Sequence, residues 1–470
     1  MPTERYTGVV AWKRNIVASV VLAAVGLSLD CSSTPAVEPR PNRTHVASGA
    51  IVLADGRTLI LRGANVTGSQ KYAPYFGDYT KDDLVKLRTD WGFNAARFLV
   101  SWSAVEPEKG KYDDTYLAAL EEHVAWCEAA GLYVVLDMHQ DVYGEGFALG
   151  GGNGAPKWTC DASHYAAFVP QNPWFLNYLD PHVQACVDGF YASTELRAHY
   201  TEAWRRVAKR LAGHAGVLGF DPMNEPAWGS YSAQGYEVDL LTSVYVDATL
   251  AVRESAPGWL AFIEPGASRN LGLPTKLTKF AFGDVVYSPH SYDRDAEGGA
   301  PFDDKKRDGI LANFKALRAE ADALDAALWI GEYGSQSTIP GVAPYMDAEY
   351  DGAAAVAAGS MYWSYDKNDG GYSLLDASGK PKQTLYDAVV RPYPSRVAGK
   401  LSSFAYDEAT RALTITFVPD GSITEPTEIV VPKAVYQAGT IVECGGCRVE
   451  EADGVVRAWS KASPIVVRPK

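Results

Sequence analysis

What this chain has little of narrows it first. Basic residues are outnumbered, with 43 lysines and arginines against 57 aspartates and glutamates, for a formal charge of −14. That balance argues against a nucleic-acid partner and against polybasic docking on anionic lipid, while leaving neutral sugars and uncharged lipids open. Cysteine is scarce, six in 470 residues, and CxxC occurs once, at Cys444 and Cys447. No histidine pair stands at ligand spacing, so the zinc reading is poor, and neither a metal nor a cofactor is expected. Beyond Leu29 no apolar run has the length of a membrane helix.

The N-terminus is the exception. Lys13 and Arg14 precede an apolar run from Ile16 to Leu29, too short to span a bilayer comfortably and readable as an export signal. The protein is therefore expected to be secreted. Cys31 raises a lipoprotein anchor, but Asp30 before it suits neither a lipobox nor a small-residue cleavage site. Export makes disulfides permissible. Cys160 and Cys186 fall in one long loop region, and Cys444 and Cys447 flank Gly445-Gly446, so each pair can close a bridge. Cys127, on the apolar face of a helical stretch, reads as a buried thiol.

What is present is a long alternation. From about residue 50 to 390, short apolar strand-like runs alternate with amphipathic helical segments, the mark of βα units around a parallel sheet. The runs Leu59–Val66, Ala95–Val100, Tyr133–Asp137, Val217–Asp221, Ala261–Glu264, Val285–Ser288, Leu328–Gly331 and Ser360–Trp363 predict eight strands. Eight strands with helices between them imply an α/β fold of the (β/α)₈ (TIM) barrel type, with its active site at the strand C-terminal ends. After Arg391 the pattern turns to β-branched alternation, as in Leu413-Thr-Ile-Thr-Phe417, which predicts a small β-sandwich that packs on the barrel. The expected division is signal and tether over 1–36, barrel over 37–392 and C-terminal β-sandwich over 393–470, as a monomer.

One segment breaks the rhythm. About fifty residues separate the third strand from the next helix, far more than a usual βα loop. Glycines fill its start and aromatics the rest: Trp158, Phe168, Trp174, Phe175, Tyr178, Phe190 and Tyr191. Some of these rings must serve a local core. Others emerge on the catalytic face, where an aromatic surface suits sugar rings or lipid chains.

Two glutamates stand out by context. Glu225 lies just past the end of the fourth predicted strand in Asp221-Pro-Met-Asn-Glu-Pro226, and Glu332 ends the seventh in Ile-Gly-Glu-Tyr-Gly. A carboxylate at the end of an apolar strand is costly unless something pairs or uses it. Glycoside hydrolysis needs two carboxyls facing one bond, roughly 5–5.5 Å apart in a retaining enzyme. At these residues the chain resembles glycoside hydrolase family 5. The resemblance makes Glu225 the acid/base and Glu332 the nucleophile. It sets Arg97 beside the nucleophile, Asn224 and His139 near the sugar, His290 beside the acid/base, Tyr292 as donor to the nucleophile, and Trp363 as the floor of the sugar subsite. On physical grounds Arg97 should lower the pKa of Glu332, and the charge of Glu332 should raise that of Glu225.

A narrower likeness covers nearly the whole mature chain. Leu136-Asp-Met-His-Gln-Asp-Val-Tyr143, Gly152-Asn-Gly-Ala-Pro156, Asp221-Pro-Met-Asn-Glu-Pro226 and Thr424-Glu-Pro-Thr-Glu-Ile429 are similar to actinobacterial endoglycoceramidases, which cut the link between glycan and ceramide. The likeness implies a glycosphingolipid substrate met at a membrane or micelle surface, with Lys71, Asp141 and Trp174 contacting the sugars. Rival readings use the same carboxylates: an endo-β-glucanase or mannanase, or a sister glycolipidase that frees galactose-linked glycans. A non-catalytic carbohydrate or lipid binder is a further rival, disfavoured because a binder has no use for two opposed carboxylates.

Overall fold

The computed structural model describes residues 43–470; the export signal, Cys31 and the tether lie outside the described residues. Eight parallel strands close into a barrel: Arg62–Val66, Ala95–Val100, Tyr133–Met138, Val217–Asp221, Leu260–Ile263, Val285–Tyr287, Ala327–Tyr333 and Gly359–Tyr362, the last pairing back with the first. After the sixth, the short strand His290–Ser291 pairs with the seventh so that His290 stands directly beside Glu332. The barrel floor is apolar. Leu61, Val135, Leu218, Leu260, Phe262, Val286, Trp329 and Met361 form one cluster there, and Ile51 joins them.

Helices cover the barrel because their apolar residues recur at helical spacing. In Thr194–Leu211, Tyr200, Trp204, Val207 and Leu211 are buried on one face, and Ser193 caps the helix by accepting from Leu196 N–H. This helix also supports chemistry. The Tyr200 hydroxyl and the Trp204 indole both donate to the carbonyl of Pro222, at 2.6 and 3.0 Å, and so hold the turn that carries Glu225.

The first barrel strand begins at Arg62, later than the sequence pattern suggests, for a topological reason. Thr58–Leu59 pairs instead with Arg396 and Val397 in a second sheet. That seven-stranded sheet takes His45–Ala47, Ala50–Val52 and Thr58–Leu59 from the N-terminal side and four strands from beyond residue 392. It packs on a four-stranded sheet made of Gly399–Asp407, Ala412–Pro419, Ile465–Pro469 and Thr440–Glu443. The sandwich is thus not drawn from the C-terminal segment alone. Its core includes Ile60 and, from the barrel helix Val342–Ala355, Tyr350 and Ala354. Tyr393 donates to the carbonyl of Gly92 and Arg396 reaches the hydroxyl of Tyr133, both near the N-terminal ends of barrel strands. The sandwich therefore sits away from the catalytic face.

The long third loop is folded. It contains the helices Ala162–Ala167 and Pro181–Ala192 and several single turns, stapled by the disulfide Cys160–Cys186. Cys444–Cys447 is also bonded, and Cys127 is a buried free thiol. Its aromatics divide. Phe190 and Tyr191 are buried, and Trp158 packs edge-on against Trp102 at 5.6 Å, while Trp174, Phe175 and Tyr178 face a groove. Gly154 shows why glycines lead the loop. It has φ +103°, and a Cβ there would stand 2.5 Å from the side chain of Gln140.

Candidate active site

Arg97, fully buried, is the hub of the barrel's upper layer. One terminal nitrogen donates to Asn65 Oδ1 (3.0 Å) and Glu332 Oε1 (2.7 Å). The other donates to Asp221 (3.0 Å), Asn224 (3.0 Å) and Glu264 (2.8 Å) and lies 3.0 Å from Asp137. Register places these partners, since Asn65 and Arg97 are neighbours across the first two strands and Asp137 and Asp221 across the next two.

Glu332 is held from both sides, by Arg97 and by the Tyr292 hydroxyl, which donates to Oε2 at 2.9 Å. Glu225 Oε1 accepts from the Asn270 amide at 2.7 Å and pairs with His290 Nδ1 at 2.8 Å. Polar atoms of Glu225, His290 and Glu332 all lie within 4.8 Å of one another, which brings the two carboxylates to about the separation of a double-displacement pair. Among the described residues this trio is the one group at metal-ligand spacing, but the Arg97 guanidinium and the Tyr292 hydroxyl already occupy Glu332.

The turn bearing Glu225 is strained and clamped. Glu225 has φ +38°, a conformation that costs a non-glycine residue on the order of 1–3 kcal/mol. Its N–H donates to Glu264 at 2.9 Å, and Gln140 donates to the carbonyls of Asn224 and Glu225 at 2.7 and 2.9 Å. The clamp offsets the strain and fixes the carboxyl's aim.

Protonation departs from the simple expectation that Glu332 is lowered and Glu225 raised. Burial pushes Glu332 up, and this outweighs the opposite pull of His290 and Arg97. The physical reason is that Arg97 divides its charge among Asp137, Asp221, Glu264 and Glu332. Burial also pushes Glu225 up, but the hydrogen bond and charge of His290 more than reverse it. His290 in turn is raised well above the ordinary range: burial opposes its charge, and Glu264, Glu332 and Glu225 overcome that opposition. Glu225 and His290, 2.8 Å apart, therefore hold the acid's proton as a pair.

One wall beside this pair is polar. Lys71 Nζ contacts Asp141 at 2.6 Å and stands 4.3 Å from the ring centre of Trp363. His139 Nδ1 donates to Asp137 at 2.7 Å, and the ring stacks with Trp363 at 5.2 Å, 13° from parallel. Asn153 adds a bond to Asp141 at 2.8 Å. Burial would raise Asp141, but Lys71 and His139 hold it well below the usual carboxylate range. Beside the pair runs a groove that contains Glu225 and Tyr292 and is walled by Trp174, Phe175, Trp228 and Leu271.

Comparison with known proteins fits this geometry. The family model described as Cellulase (glycosyl hydrolase family 5) matches residues 52–369. The chain belongs to glycosyl hydrolase family 5. Residues 391–466 match the family 5 C-terminal domain as well. Endoglycoceramidase I of Rhodococcus hoagii (strain 103S) is 28% identical over 464 residues, covering 93% of this chain and 89% of its own. Among solved structures, endo-glycoceramidase II from Rhodococcus sp. with ganglioside GM3 superposes with TM-score 0.79 at 34% identity, over 88% of this chain and 98% of that one. The same enzyme as a lactosyl-enzyme intermediate gives TM-score 0.78 at 32% identity, over 92% and 100%.

Within the family 5 scaffold, Arg97, His139, Asn224, Glu225, His290, Tyr292, Glu332 and Trp363 converge, and Lys71 and Asp141 join them. Trp174 lines the groove that also contains Glu225 and Tyr292. Asn224 gives one N–H to the carbonyl of Gln140 at 3.0 Å and retains its second for a ligand. Sequence reasoning passed over Glu264, Asp137, Asp221 and Asn270. Glu264 ends the fifth predicted strand, a signal of the same kind that picked out Glu332. Asn270, on the turn Ala267–Leu271, carries no such signal.

Proposed function

We propose that this chain is a retaining endo-β-glycosidase that cleaves the bond between glycan and ceramide in glycosphingolipids. The observation that carries it is the pair Glu225 and Glu332 within 4.8 Å, set between a polar wall and an apolar groove. The named relatives, one solved with a ganglioside and as a lactosyl-enzyme intermediate, support the substrate class.

The geometry performs a double displacement. Glu332, ionised and aimed by Arg97 and Tyr292, attacks the anomeric carbon. The glycosidic oxygen leaves with the proton shared by Glu225 and His290. Glycosylation removes the charge of Glu332, so Glu225 can then take a proton from water, which releases the sugar with its configuration retained. Lys71, Asp141, His139 and Trp363 hold the glycan. The groove takes the leaving group, where lipid chains gain ~25 cal/mol per Å² of apolar surface covered.

A lipid surface also suits the catalytic face. Leu149, Val169, Leu179 and Leu271, on loops after the third and fifth strands, are exposed there, and an apolar rim around a substrate groove suits contact with a micelle or membrane. We read the chain as secreted, consistent with its two disulfides. The test of the function is to incubate the protein with a panel of glycosphingolipids and with cellulose and mannan. Free ceramide and intact glycan are expected from the glycolipids. Ready cleavage of the polymers with the glycolipids untouched would reject the reading in favour of the glucanase alternative.

A further inference from the structure

Glu297 ends the short helix Arg294–Glu297, which follows Tyr292 in the sixth loop. It is half-buried and lines the same groove as Glu225, Asn270 and Tyr292. Its neighbours in that loop are committed: Asp293 and Asp295 both bind Lys306, and Arg294 donates to the carbonyl of Asn270 at 3.0 Å. The Glu297 carboxyl has no hydrogen-bond or ion-pair partner among the described residues. A half-buried carboxyl left unpaired is costly unless a ligand uses it.

The two polar groups of the groove nearest the chemistry are already engaged. Asn270 gives its amide to Glu225, and Tyr292 gives its hydroxyl to Glu332. Of the two carboxyls that line the groove, Glu225 is bonded to Asn270 and His290, which leaves Glu297 as the unpaired one on the side where the leaving group departs. We propose that Glu297 is a specificity-determining residue that accepts hydrogen bonds from the polar neck of the leaving group, the amide N–H and free hydroxyl that a ceramide carries beside the cleaved bond. This inference rests on the glycolipid reading above.

The groups facing Glu297 make its grip pH-dependent. Burial first, then the charges of Glu225 and Glu332 from the fourth and seventh strands, push its carboxyl up to about 7 against the pull of Arg294. Tyr372, from the loop after the eighth strand, feels its charge as well. As an acid with a raised pKa, Glu297 is neutral at low pH and becomes the stronger, ionised acceptor as pH rises through about 7.

The test uses the full chain, Glu297→Gln and Glu297→Ala, with lactosylceramide in detergent micelles and an aryl β-lactoside of the same glycan. Both variants should lose about tenfold or more in kcat/KM on lactosylceramide, mainly through KM, the low end of the range for hydrogen bonds to a charged acceptor. On the aryl lactoside they should stay within about twofold of the parent, which also reports that they fold. The parent's preference for the lipid over the aryl substrate should climb between about pH 5.5 and 8 and stay flat in Glu297→Gln. A lactosylceramide with a methylated amide and no free hydroxyl should bring the parent down to the variant's rate. Equal losses on both substrates, no loss on the lipid, or a preference that ignores pH would overturn the assignment while leaving the glycolipid function intact. A parent enzyme that cuts the aryl lactoside but no glycosylceramide overturns that function and this inference together.

Discussion

The two walls of the cleft are built on opposite principles. Around His139 and Trp363, polar side chains are locked by one another: Lys71 to Asp141, Asn153 to Asp141, His139 to Asp137. Around Trp174 and Leu271 the wall is mostly apolar, and both residues are partly exposed. A locked polar wall recognises one arrangement of hydroxyls with little reorganisation. An apolar wall binds by area and tolerates variation in chain length. The glycan should therefore be read strictly and the lipid loosely, with chemistry confined to the seam between them.

The largest effect belongs to the seam and should ignore the contrast. Glu332→Ala should abolish hydrolysis of glycolipid and aryl glycoside alike, on the order of 10⁴-fold or more, while permitting transfer from an α-glycosyl fluoride. Steady-state rates and product analysis check this, and residual hydrolysis near the parental rate would remove Glu332 from the nucleophile's role. Glu225→Ala should instead hurt according to leaving group, least where the departing aryl group needs no proton. Equal losses on good and poor leaving groups would refute its role as acid. The anomer first released, followed by NMR, should be β.

Breaking the polar wall should come next. Lys71→Met or Asp141→Asn should cost about 10- to 100-fold on both substrate types, because both carry the same glycan. A loss confined to glycolipid would place these residues on the wrong side. The groove should respond the other way. Trp174→Ser should lower glycolipid turnover about three- to tenfold and leave the aryl glycoside nearly unchanged. A matching loss on the aryl substrate would return Trp174 to the sugar side.

The smallest effect is a displaced pH limb common to both substrates. Glu332 must be ionised to attack, and its carboxyl is raised above its usual 4.5 by burial. Activity should accordingly fall as pH drops through a value above 4.5. His290 is raised, so the shared proton survives beyond the ordinary histidine range of 6.5 and the basic limb should lie above it. A kcat/KM profile with an acidic limb below pH 4 would mean that Arg97 outweighs burial after all.

Much of this was legible from residues in order. Most barrel strands announced themselves as short apolar runs, because a strand covered on both faces has little room for polar alternation; the first, Arg62–Val66, was marked by the apolar residues just before it. Glu225 and Glu332 were found by the anomaly of a carboxylate ending such a run. The three strands that residues 45–59 add to the seven-stranded sheet were not legible, since such short strands carry too little pattern to show which sheet they join. The order of the two carboxyl pKa values was misjudged for a related reason. A pairwise reading counts Arg97 against Glu332 alone, whereas the guanidinium serves four acids at once.

The sequence by itself determined the barrel, the two carboxylates and most of the shell that aims them, because strand periodicity and strand-end chemistry are local and survive in one dimension. Only the tertiary structure decided that His290 pairs with Glu225, which aromatics of the third loop form a core and which form a groove, and that Asn270 and Glu297 line the groove with Glu225. Those outcomes depend on distances between residues brought together from separate loops, and a distance across a barrel is written nowhere along the chain.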